Sequence, residues 1–291
     1  MISGKRLIVK PRIGLSYLSF KGQIEVIGFS LGCFVCAQSC KDSLIGCSPL
    51  ETFWCHKGLY RMTFFAPMSQ FDFEAGEVLL VDKPLGWTSF QVVKKLKWLT
   101  KAKKVGHAGT LDPLATGLLI LCTGKKTKEI DEIQAQVKRY TGSIKLGFTT
   151  PSYDGETEEV MSGDPAGITR EVVDSVLGQF CGTIVQTPPI FSAIKVGGQR
   201  AYKKARKGEA VEIKSREVTV YHFDITDLRD GQLFFDVQCS KGTYIRSLAN
   251  DLGKALGCGG YLTSLRRESI GDYAVTNAHT PEQWADILAQ D

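Results

Sequence analysis

The chain of 291 residues is predicted to fold as an α+β protein with a large mixed, mostly antiparallel sheet flanked by helices. Three observations predict this class. Many short segments carry strand-like apolar patterns, and several are joined by tight glycine turns. Helical patterns with capping residues are interspersed among them, without the regular alternation of a parallel βαβ protein.

The first predicted strand and helix follow each other closely. Glu77–Asp82 is typical of a strand, and Thr88 with Gln91 three residues later forms a capping-box pattern that predicts the start of a helix. Val92, Val93, Leu96 and Leu99 form its apolar side. Lysines crowd its outer side and its end, with no acid among them: Lys94, Lys95, Lys97, Lys101, Lys103 and Lys104. Such a run usually covers a solvated face, but the absence of mixed signs favours phosphate contact.

The second half of the chain predicts a series of strands and helices. Asp230-Gly231 predicts a hairpin turn between the strands 218–228 and 233–239. Further strands are expected at 137–148 and 191–196, and a short basic helix at 201–207. Two capped helices are expected, one from Thr169 to Gly178 with Val172, Val173, Val176 and Leu177 facing inwards, and one from Thr243 to about Gly257.

Composition limits the function classes only broadly. The hydrophobic fraction of 43% and the charged fraction of 23% are typical of a globular protein with a real core. The formal charge of +5 only hints at a polyanionic partner, so local clusters matter more. No apolar run reaches the length of a membrane span. Four scattered cysteines favour buried thiols in a reducing compartment: Cys122, Cys181, Cys239 and Cys258.

Residues 1–67 differ in character from the rest of the chain. Five of the nine cysteines lie there, and Cys33-x-x-Cys36 with Cys40 and Cys47 is compatible with zinc, although no second ligand pair completes the pattern. The apolar segment 24–37 also has the length of a signal-peptide core. We favour a third interpretation, an extension that is poorly ordered or not native, followed by one domain over 68–291.

The segment 105–117 contains three glycines and one carboxylate, Asp112, directly before a proline and an apolar run. A residue before proline is biased towards extended or turn geometry, so Asp112 is predicted to project from a rigid loop that leads into a buried strand. From this window alone a simple turn, with Asp112 bonding its own backbone, is the favoured interpretation.

Six motifs, found in order along the chain, favour a catalytic role for Asp112 over a simple turn. Together they resemble the TruB family of tRNA pseudouridine synthases over roughly residues 76–272. They are Asp82-Lys83-Pro84 with Gly86 and Ser89, Gly106-His107 through Gly117, Lys138-Arg139-Tyr140, Pro188-Pro189 with Ser192 to Lys195, Ala201-Tyr202 with Ala205-Arg206, and Cys239 to Leu248 with Leu265-Arg266-Arg267.

The resemblance implies an RNA-binding cleft and the isomerisation of a uridine in the tRNA T loop, position 55, to pseudouridine after base flipping. Asp112 matches the essential aspartate, which acts as nucleophile or as proton-abstracting base at the ribose. Arg246 matches the arginine that pairs with it. Tyr140 matches the tyrosine that stacks on the flipped base and takes a proton from its carbon.

The resemblance also implies RNA contacts at His107, Tyr244 and Leu265, with Lys83 and Lys195 contacting phosphate or supporting the loop. It implies no cofactor and no metal, with tRNA as the partner of a monomeric cytoplasmic enzyme. The sequence departs from the family pattern between Gly147 and Thr157, where Pro151, Ser152 and Thr157 replace the usual residues and Asp154 is kept.

Two other functions stay open at this point. The chain ends about twenty residues after the last motif, so we expect a short form without the family's C-terminal RNA-binding domain. The first alternative is a guide-RNA-dependent relative that modifies ribosomal RNA; it shares the Asp112 motif but normally carries that C-terminal domain. A non-catalytic RNA-binding or RNA-folding protein is the second alternative. Binding alone needs only cations and stacking, so the joint presence of Asp112, Tyr140 and Arg246 speaks against it.

Overall fold

The computed structural model describes residues 70–290 and, before them, four short strands; at residue 195 it describes the backbone only. The four strands form two antiparallel hairpins, β1 (Ser16–Phe20) with β2 (Gln23–Ile27), and β3 (Thr52–Cys55) with β4 (Gly58–Arg61). The cysteine pattern proposed for zinc, and most of the extension predicted over 1–67, lie outside the described residues.

The compact unit that begins after residue 70 contains all other elements. Its strands are β5 (Val78–Lys83), β6 (Val105–Ala108), β7 (Ala115–Thr123), β8 (Lys138–Leu146), β9 (Phe148–Thr149), β10 (Val160–Met161), β11 (Gly182–Gln186), β12 (Lys195–Val196), β13 (Gln199–Arg200), β14 (Arg216–Arg229), β15 (Gln232–Cys239), β16 (Gly260–Ile270) and β17 (Tyr273–Ala274). Its α-helices are α1 (Ser89–Thr100), α2 (Ile130–Ala135), α3 (Arg170–Leu177), α4 (Ala201–Ala205), α5 (Ile245–Ala255) and α6 (Pro281–Gln290). Short 3-10 turns occupy Gly124–Glu129, Gly178–Phe180 and Val275–Asn277.

A nine-stranded sheet forms the centre of this unit. Its strand order is β11-β14-β15-β8-β16-β7-β5, with β6 paired to β7 and β17 paired to β16. Every pairing is antiparallel except that of β16 with β7. The predicted α+β class with a mixed, mostly antiparallel sheet is therefore confirmed.

Local sequence signals explain several of these elements. The apolar run of β7 is buried on both faces, which a continuous apolar strand requires. Thr88 caps α1, and the reciprocal bond to Gln91 completes the predicted capping box. The turn between β14 and β15 places Asp230 at φ 52° and Gly231 at φ 70°, the left-handed pair that a tight hairpin needs.

Three apolar clusters anchor the helices to the sheet. The largest packs α3 and α5 against the strands around β8, β15 and β14, and it includes Leu111 beside the predicted loop. A second cluster packs α1 and α6 against β5 and β7, with Trp284 donating from its indole to the Leu80 carbonyl. The third lies around β6 and α2. The loop that holds Asp112 thus starts and ends on buried strands.

Four local predictions were wrong. Cys181, predicted to be a buried thiol, is exposed. The N-cap position of α5 is occupied by Tyr244, whose side chain forms no capping hydrogen bond. The hydroxyl of Thr243, the predicted cap, donates instead to the Ser240 carbonyl and closes the preceding turn. Val172 is exposed, because α3 packs Val173, Val176 and Leu177 against the core. The strand predicted from residue 191 is limited to the two residues of β12. Among the described residues, no helix has both the length and the apolar character needed to cross a membrane.

Candidate active site

Asp112 lies in the loop between β6 and β7, and the backbone on both sides of it is tied down. The Ser89 hydroxyl bridges Leu111, accepting from its N–H and donating to its carbonyl at 2.9 Å each. On the other side, the Gly86 N–H donates to the Pro113 carbonyl at 2.9 Å. The loop is therefore a rigid support, as predicted, and its carboxylate is held at the start of a central strand.

Arg246, the second residue of α5, brings its guanidinium to this carboxylate. Its Nε lies 3.0 Å from Oδ2 of Asp112, and the side chains are 4% and 43% exposed, respectively. The Nε–H is not aligned with that oxygen, so the contact is an ion pair rather than a hydrogen bond. Nη1 donates to the Ser152 carbonyl and Nη2 to the Phe191 carbonyl, both at 3.0 Å. Two carbonyls thus fix the direction of the cation.

The charges around Asp112 oppose one another. Desolvation in the cleft raises the pKa of the Asp112 carboxyl, the Arg246 guanidinium lowers it, and the carboxylates of Asp154 and Glu156 raise it. Arg246 is therefore the group that favours the ionised form needed for a nucleophile or a base.

The segment that departs from the family pattern supports Arg246. Buried Asp154 places Oδ2 3.5 Å from Nη1 of Arg246. The Ser152 hydroxyl donates to the Asp154 carbonyl at 3.1 Å and lies 2.8 Å from the Thr157 hydroxyl, which also accepts from the Ser152 N–H. Two of the substituted residues therefore bond to each other and keep the Ser152 carbonyl directed at the guanidinium.

Tyr140 is buried on β8 and packs in the same cluster as Leu111. It lies directly opposite Arg267 of β16 in the strand register. Burial raises the pKa of the Tyr140 hydroxyl, while the charge of the neighbouring Arg267 guanidinium lowers that pKa. The arginine thus offsets part of the cost of a phenolate at this position.

Arg267 is 1% exposed and forms no ion pair with any residue in the part of the chain that the structure describes. Its Nε donates to the Leu118 carbonyl at 2.7 Å, and its Nη2 donates to the Gly109 carbonyl at 3.0 Å. It therefore ties both ends of the Asp112 loop to the strand that faces Tyr140.

Two residues predicted to meet RNA lie under or beside the loop. Lys83 is fully buried and donates to the carbonyls of Trp87 at 2.6 Å, Pro84 at 3.0 Å and Pro113 at 3.4 Å. Burial lowers its pKa to about 8. Of the two roles predicted for Lys83, this geometry favours support of the loop. His107 is half-buried on β6, with Nε2 3.1 Å from the Thr110 hydroxyl, and burial together with Arg267 lowers its pKa.

The remaining predicted contacts are less uniform. Leu265 lines the cleft beside Asp112. The Tyr244 backbone is clamped by the buried Gln186 amide, which accepts from its N–H at 2.7 Å and donates to its carbonyl at 3.1 Å. The ring of Tyr244 lies under the Arg216 guanidinium, 5.1 Å away, and is not part of the cleft lining. Lys195 lies in β12, but its side chain is outside the described part of the structure.

The cleft consists of a narrow space at Asp112 and a wider groove that share four residues, Leu114, Thr263, Ser264 and Leu265. The space lined by Asp112, Asp154 and Arg246 measures only about 10 Å³, roughly enough for one water molecule. The groove measures about 470 Å³. The space at Asp112 is therefore much smaller than the groove beside it.

A β-bulge shapes the shared part of the lining. The register of β16 against β8 shifts between Leu262 and Ser264, which makes Thr263 the extra residue. The Ser143 hydroxyl lies 2.8 Å from that of Thr263 and 2.7 Å from that of Ser264. The bulge thus turns two neighbouring hydroxyl residues towards the cleft.

Sequence reasoning assigned no role to Arg267, Gln186 or Thr263, and it noted Asp154 without a partner. One available signal was the pair Arg266-Arg267 within a strand, because neighbouring strand residues point to opposite faces and one of the two must point inwards. Gln186 and Thr263 carry no comparable local signal, since their contacts are formed by chain segments far apart in sequence.

Comparison with known families agrees with the geometry. Residues 97–245, about half of the chain, match the model described as the N-terminal domain of TruB family pseudouridylate synthases. The chain belongs to this family. A second model, the tRNA pseudouridylate synthase B C-terminal domain, matches residues 246–291. In this TruB family member, that second region contains Arg246 and β16, which complete the site around Asp112.

The match with curated TruB relatives covers most of the length of each relative. The tRNA pseudouridine synthase B of Flavobacterium johnsoniae is 54% identical over 218 residues, which is 72% of this chain and 95% of the relative. That of Parabacteroides distasonis is 50% identical over 225 residues, which is 75% of this chain and 96% of the relative.

Solved structures give the same fold at lower identity. A chain from an H/ACA ribonucleoprotein bound to a substrate RNA containing 2′-deoxyuridine matches with a TM-score of 0.55 and 26% identity over 74% of this chain. A chain of an archaeal box H/ACA complex matches with a TM-score of 0.54 and 26% identity. This chain spans about half the length of those two, 53% and 54%.

Proposed function

We propose that this protein converts the uridine at position 55 in the T loop of tRNA into pseudouridine, with Asp112 as the reacting carboxylate. The observation that carries the proposal is the pairing of a half-exposed Asp112 with a buried, carbonyl-anchored Arg246 at one end of the cleft. Such a pair keeps a carboxylate charged and aimed, which both nucleophilic and basic catalysis require.

The isomerisation breaks the N1–C1′ bond of uridine and forms a C5–C1′ bond, while C5 loses a proton and N1 gains one. Asp112 attacks the ribose as a nucleophile or abstracts a proton from it, and either role uses the ionised form that Arg246 favours. Tyr140 accepts the C5 proton once its own hydroxyl proton has been released, and the adjacent Arg267 lowers the cost of the phenolate that forms in between.

Entry of the base requires the cleft to open, because the space beside Asp112 is about 10 Å³. Phe191 supplies one of the carbonyls that hold Arg246, and Arg206, directly after α4, forms an ion pair with Glu156. We expect these contacts to rearrange when the uridine is flipped into the pocket.

The relatives favour tRNA over guided ribosomal RNA as the substrate. The two curated synthases described above are 50–54% identical to this chain, whereas the H/ACA chains are 26% identical and this chain spans only about half of their length. We further propose a monomer that acts on tRNA alone in the cytoplasm. The buried free thiols of Cys122, Cys239 and Cys258 fit a reducing compartment.

The test is pseudouridine formation in an unmodified T-arm stem-loop RNA, scored for the parent protein and for Asp112→Asn. We expect complete conversion by the parent and none by the variant, and the exposed Asp131→Asn serves as a matched control that keeps full activity. Activity that survives in Asp112→Asn overturns the catalytic assignment. Conversion that appears only when a guide RNA is added overturns the tRNA assignment.

A further inference from the structure

The outward face of helix α1 alternates aromatic rings and cations. Phe90, Lys94, Lys97, Trp98 and Lys101 follow the spacing i, i+4, i+7, i+8 and i+11, which places them on one side of the helix and its C-cap. The opposite side carries the buried residues Ser89, Val92, Leu96 and Thr100. We call the five outward residues the α1 face.

The α1 face differs from an ordinary solvated helix surface in two ways. Phe90 and Trp98 are each 73% exposed, although aromatic rings of this size usually find cover. Lys94, Lys97 and Lys101 form no ion pair with any residue that the structure describes, and no acid occurs between Ser89 and Lys104. The Lys95 ammonium lies over the Trp98 ring, 5.9 Å from its centroid, but most of both rings remains exposed. Unpaired cations and largely exposed rings together fit a ligand that offers both negative charge and flat apolar surface.

The position of α1 ties this face to the active site. Its first residue, Ser89, forms both hydrogen bonds to Leu111, the neighbour of Asp112. From there the helix extends away from the loop, so that Phe90 and Lys101 are about 16 Å apart at 1.5 Å per residue. The α1 face therefore begins beside the loop that carries Asp112, and this proximity is the reason to expect that one RNA meets both.

We propose that the α1 face is an accessory RNA-binding surface, on which Phe90 and Trp98 stack against unpaired bases while the three lysines contact phosphates. The choice of RNA as the occupant rests on the proposed function. Lysines alone serve a duplex, whose bases are hidden, whereas exposed rings between lysines suit nucleotides with free base faces. The electrostatic attraction needs no particular sequence, so the face adds affinity rather than site selection.

The first experiment measures the affinity of an unmodified T-arm stem-loop RNA in the Asp112→Asn background, where no conversion occurs during the measurement. We expect Phe90→Ala and Trp98→Ala each to weaken binding about tenfold. Tyr221→Ala removes another exposed aromatic side chain, 57% exposed on β14, and is the matched control, with unchanged affinity. Thermal unfolding midpoints close to that of the parent show that the variants are folded.

The second experiment separates stacking from charge. Trp98→Phe keeps a ring, so we expect affinity within about threefold of the parent, together with loss of the RNA-induced change in Trp98 fluorescence. Lys94→Gln and Lys97→Gln each reduce the slope of log affinity against log salt by about 0.7, the value for one phosphate contact of a single strand.

Unchanged affinity and unchanged salt slope in all α1-face variants overturn the proposal. Self-association of the parent that is lost in Trp98→Ala, with RNA affinity intact, also overturns it and identifies a protein interface. These readouts do not depend on catalysis. A parent protein that binds the stem-loop through α1 but forms no pseudouridine would instead refute the proposed function and leave the surface assignment standing.

Discussion

Arg246 and Asp112 form an ion pair in which the cation is buried and the carboxylate is half-exposed, with 3.0 Å between Nε and Oδ2. The arginine is held by the carbonyls of Ser152 and Phe191, and the aspartate is held by its loop backbone. The fixed partner lies inside and the reactive partner faces the cleft. The carboxylate is thus oriented before the substrate binds, which lowers the entropic cost of reaching the transition state.

Arg246→Gln is expected to move the acid limb of the kcat/KM profile to higher pH. The guanidinium lowers the pKa of Asp112 against the effect of desolvation, so its loss leaves more of the carboxyl protonated at any given pH. We also expect kcat at the optimum to fall about 100-fold. Arg246→Lys keeps the charge but not the two carbonyl contacts. The acid limb of its kcat/KM profile should therefore stay at the pH of the parent while kcat falls. Equal profiles for parent and Arg246→Gln would contradict this role.

Asp154→Asn is expected to shift the same limb in the opposite direction. The Asp154 carboxylate raises the pKa of Asp112, so its removal lowers the pH at which Asp112 ionises. The variant also loses one anchor of Arg246, and we expect kcat to fall about tenfold. Pseudouridine formation measured from pH 4 to 8 tests both effects. Asp164→Asn, in an exposed loop, is the control, and a limb shift in that variant would show that the effect is not specific to Asp154.

Much of the fold could be predicted because its signals are local. The capping box of Thr88, the apolar run of β7 and the turn at Asp230-Gly231 each depend on residues within one turn or one strand. The prediction that Thr243 caps α5 also depended on a local pattern, and it failed because the pattern does not show which of two partners the hydroxyl of this threonine takes. Its hydroxyl has a competing acceptor at Ser240, and the helix begins one residue later than the cap pattern suggests.

The site was only partly predictable, because its decisive contacts join distant segments. The bond from Arg246 to the Ser152 carbonyl spans 94 residues, and that from Arg267 to the Gly109 carbonyl spans 158 residues. Arginine is seldom fully buried, so its residue type alone suggested a surface position for Arg267. Family resemblance supplied Asp112, Tyr140 and Arg246, and the structure adds the groups that hold them in place.

Arg267→Met is expected to slow the reaction without exposing the site. The substitution removes the donors to the Gly109 and Leu118 carbonyls and the cation that lowers the pKa of Tyr140. We expect kcat to fall at least tenfold, with a larger deuterium isotope effect at C5 of uridine because proton transfer to Tyr140 becomes harder. Arg139→Gln changes an exposed arginine on the same strand as Tyr140 and should leave both quantities unchanged. An unchanged isotope effect in Arg267→Met would restrict its role to loop support.

Two buried lysines predict an alkaline rise in stability. Burial lowers the pKa of Lys83 and of Lys138 to about 8, whereas an unfolded lysine titrates near 10.5. Between these values the unfolded chain binds more protons, so the free energy of unfolding rises with pH, by at most about 1.4 kcal/mol per pH unit for each lysine. Lys138→Met should reduce that slope between pH 8 and 10, while Lys125→Met, at an exposed position, should not. Urea unfolding at several pH values measures the slopes, and parallel curves for Lys138→Met and parent would refute the assignment.

Gly253→Ala is expected to separate the helix that carries Arg246 from the strand that carries Leu265. A Cβ at Gly253 would lie 2.1 Å from the Gly260 nitrogen, and the three nearest atoms all belong to the backbone of Gly259 and Gly260, which cannot rotate away. We expect a loss of about 1–3 kcal/mol in stability from this overpacking, together with a fall in kcat at temperatures where the variant is still folded. Gly178→Ala is the control, since no atom lies within 4 Å of its Cβ position and its backbone is helical; it should be neutral or stabilise by up to about 1 kcal/mol. Full activity in a destabilised Gly253→Ala would mean that the contact between α5 and β16 supports the fold without positioning Arg246.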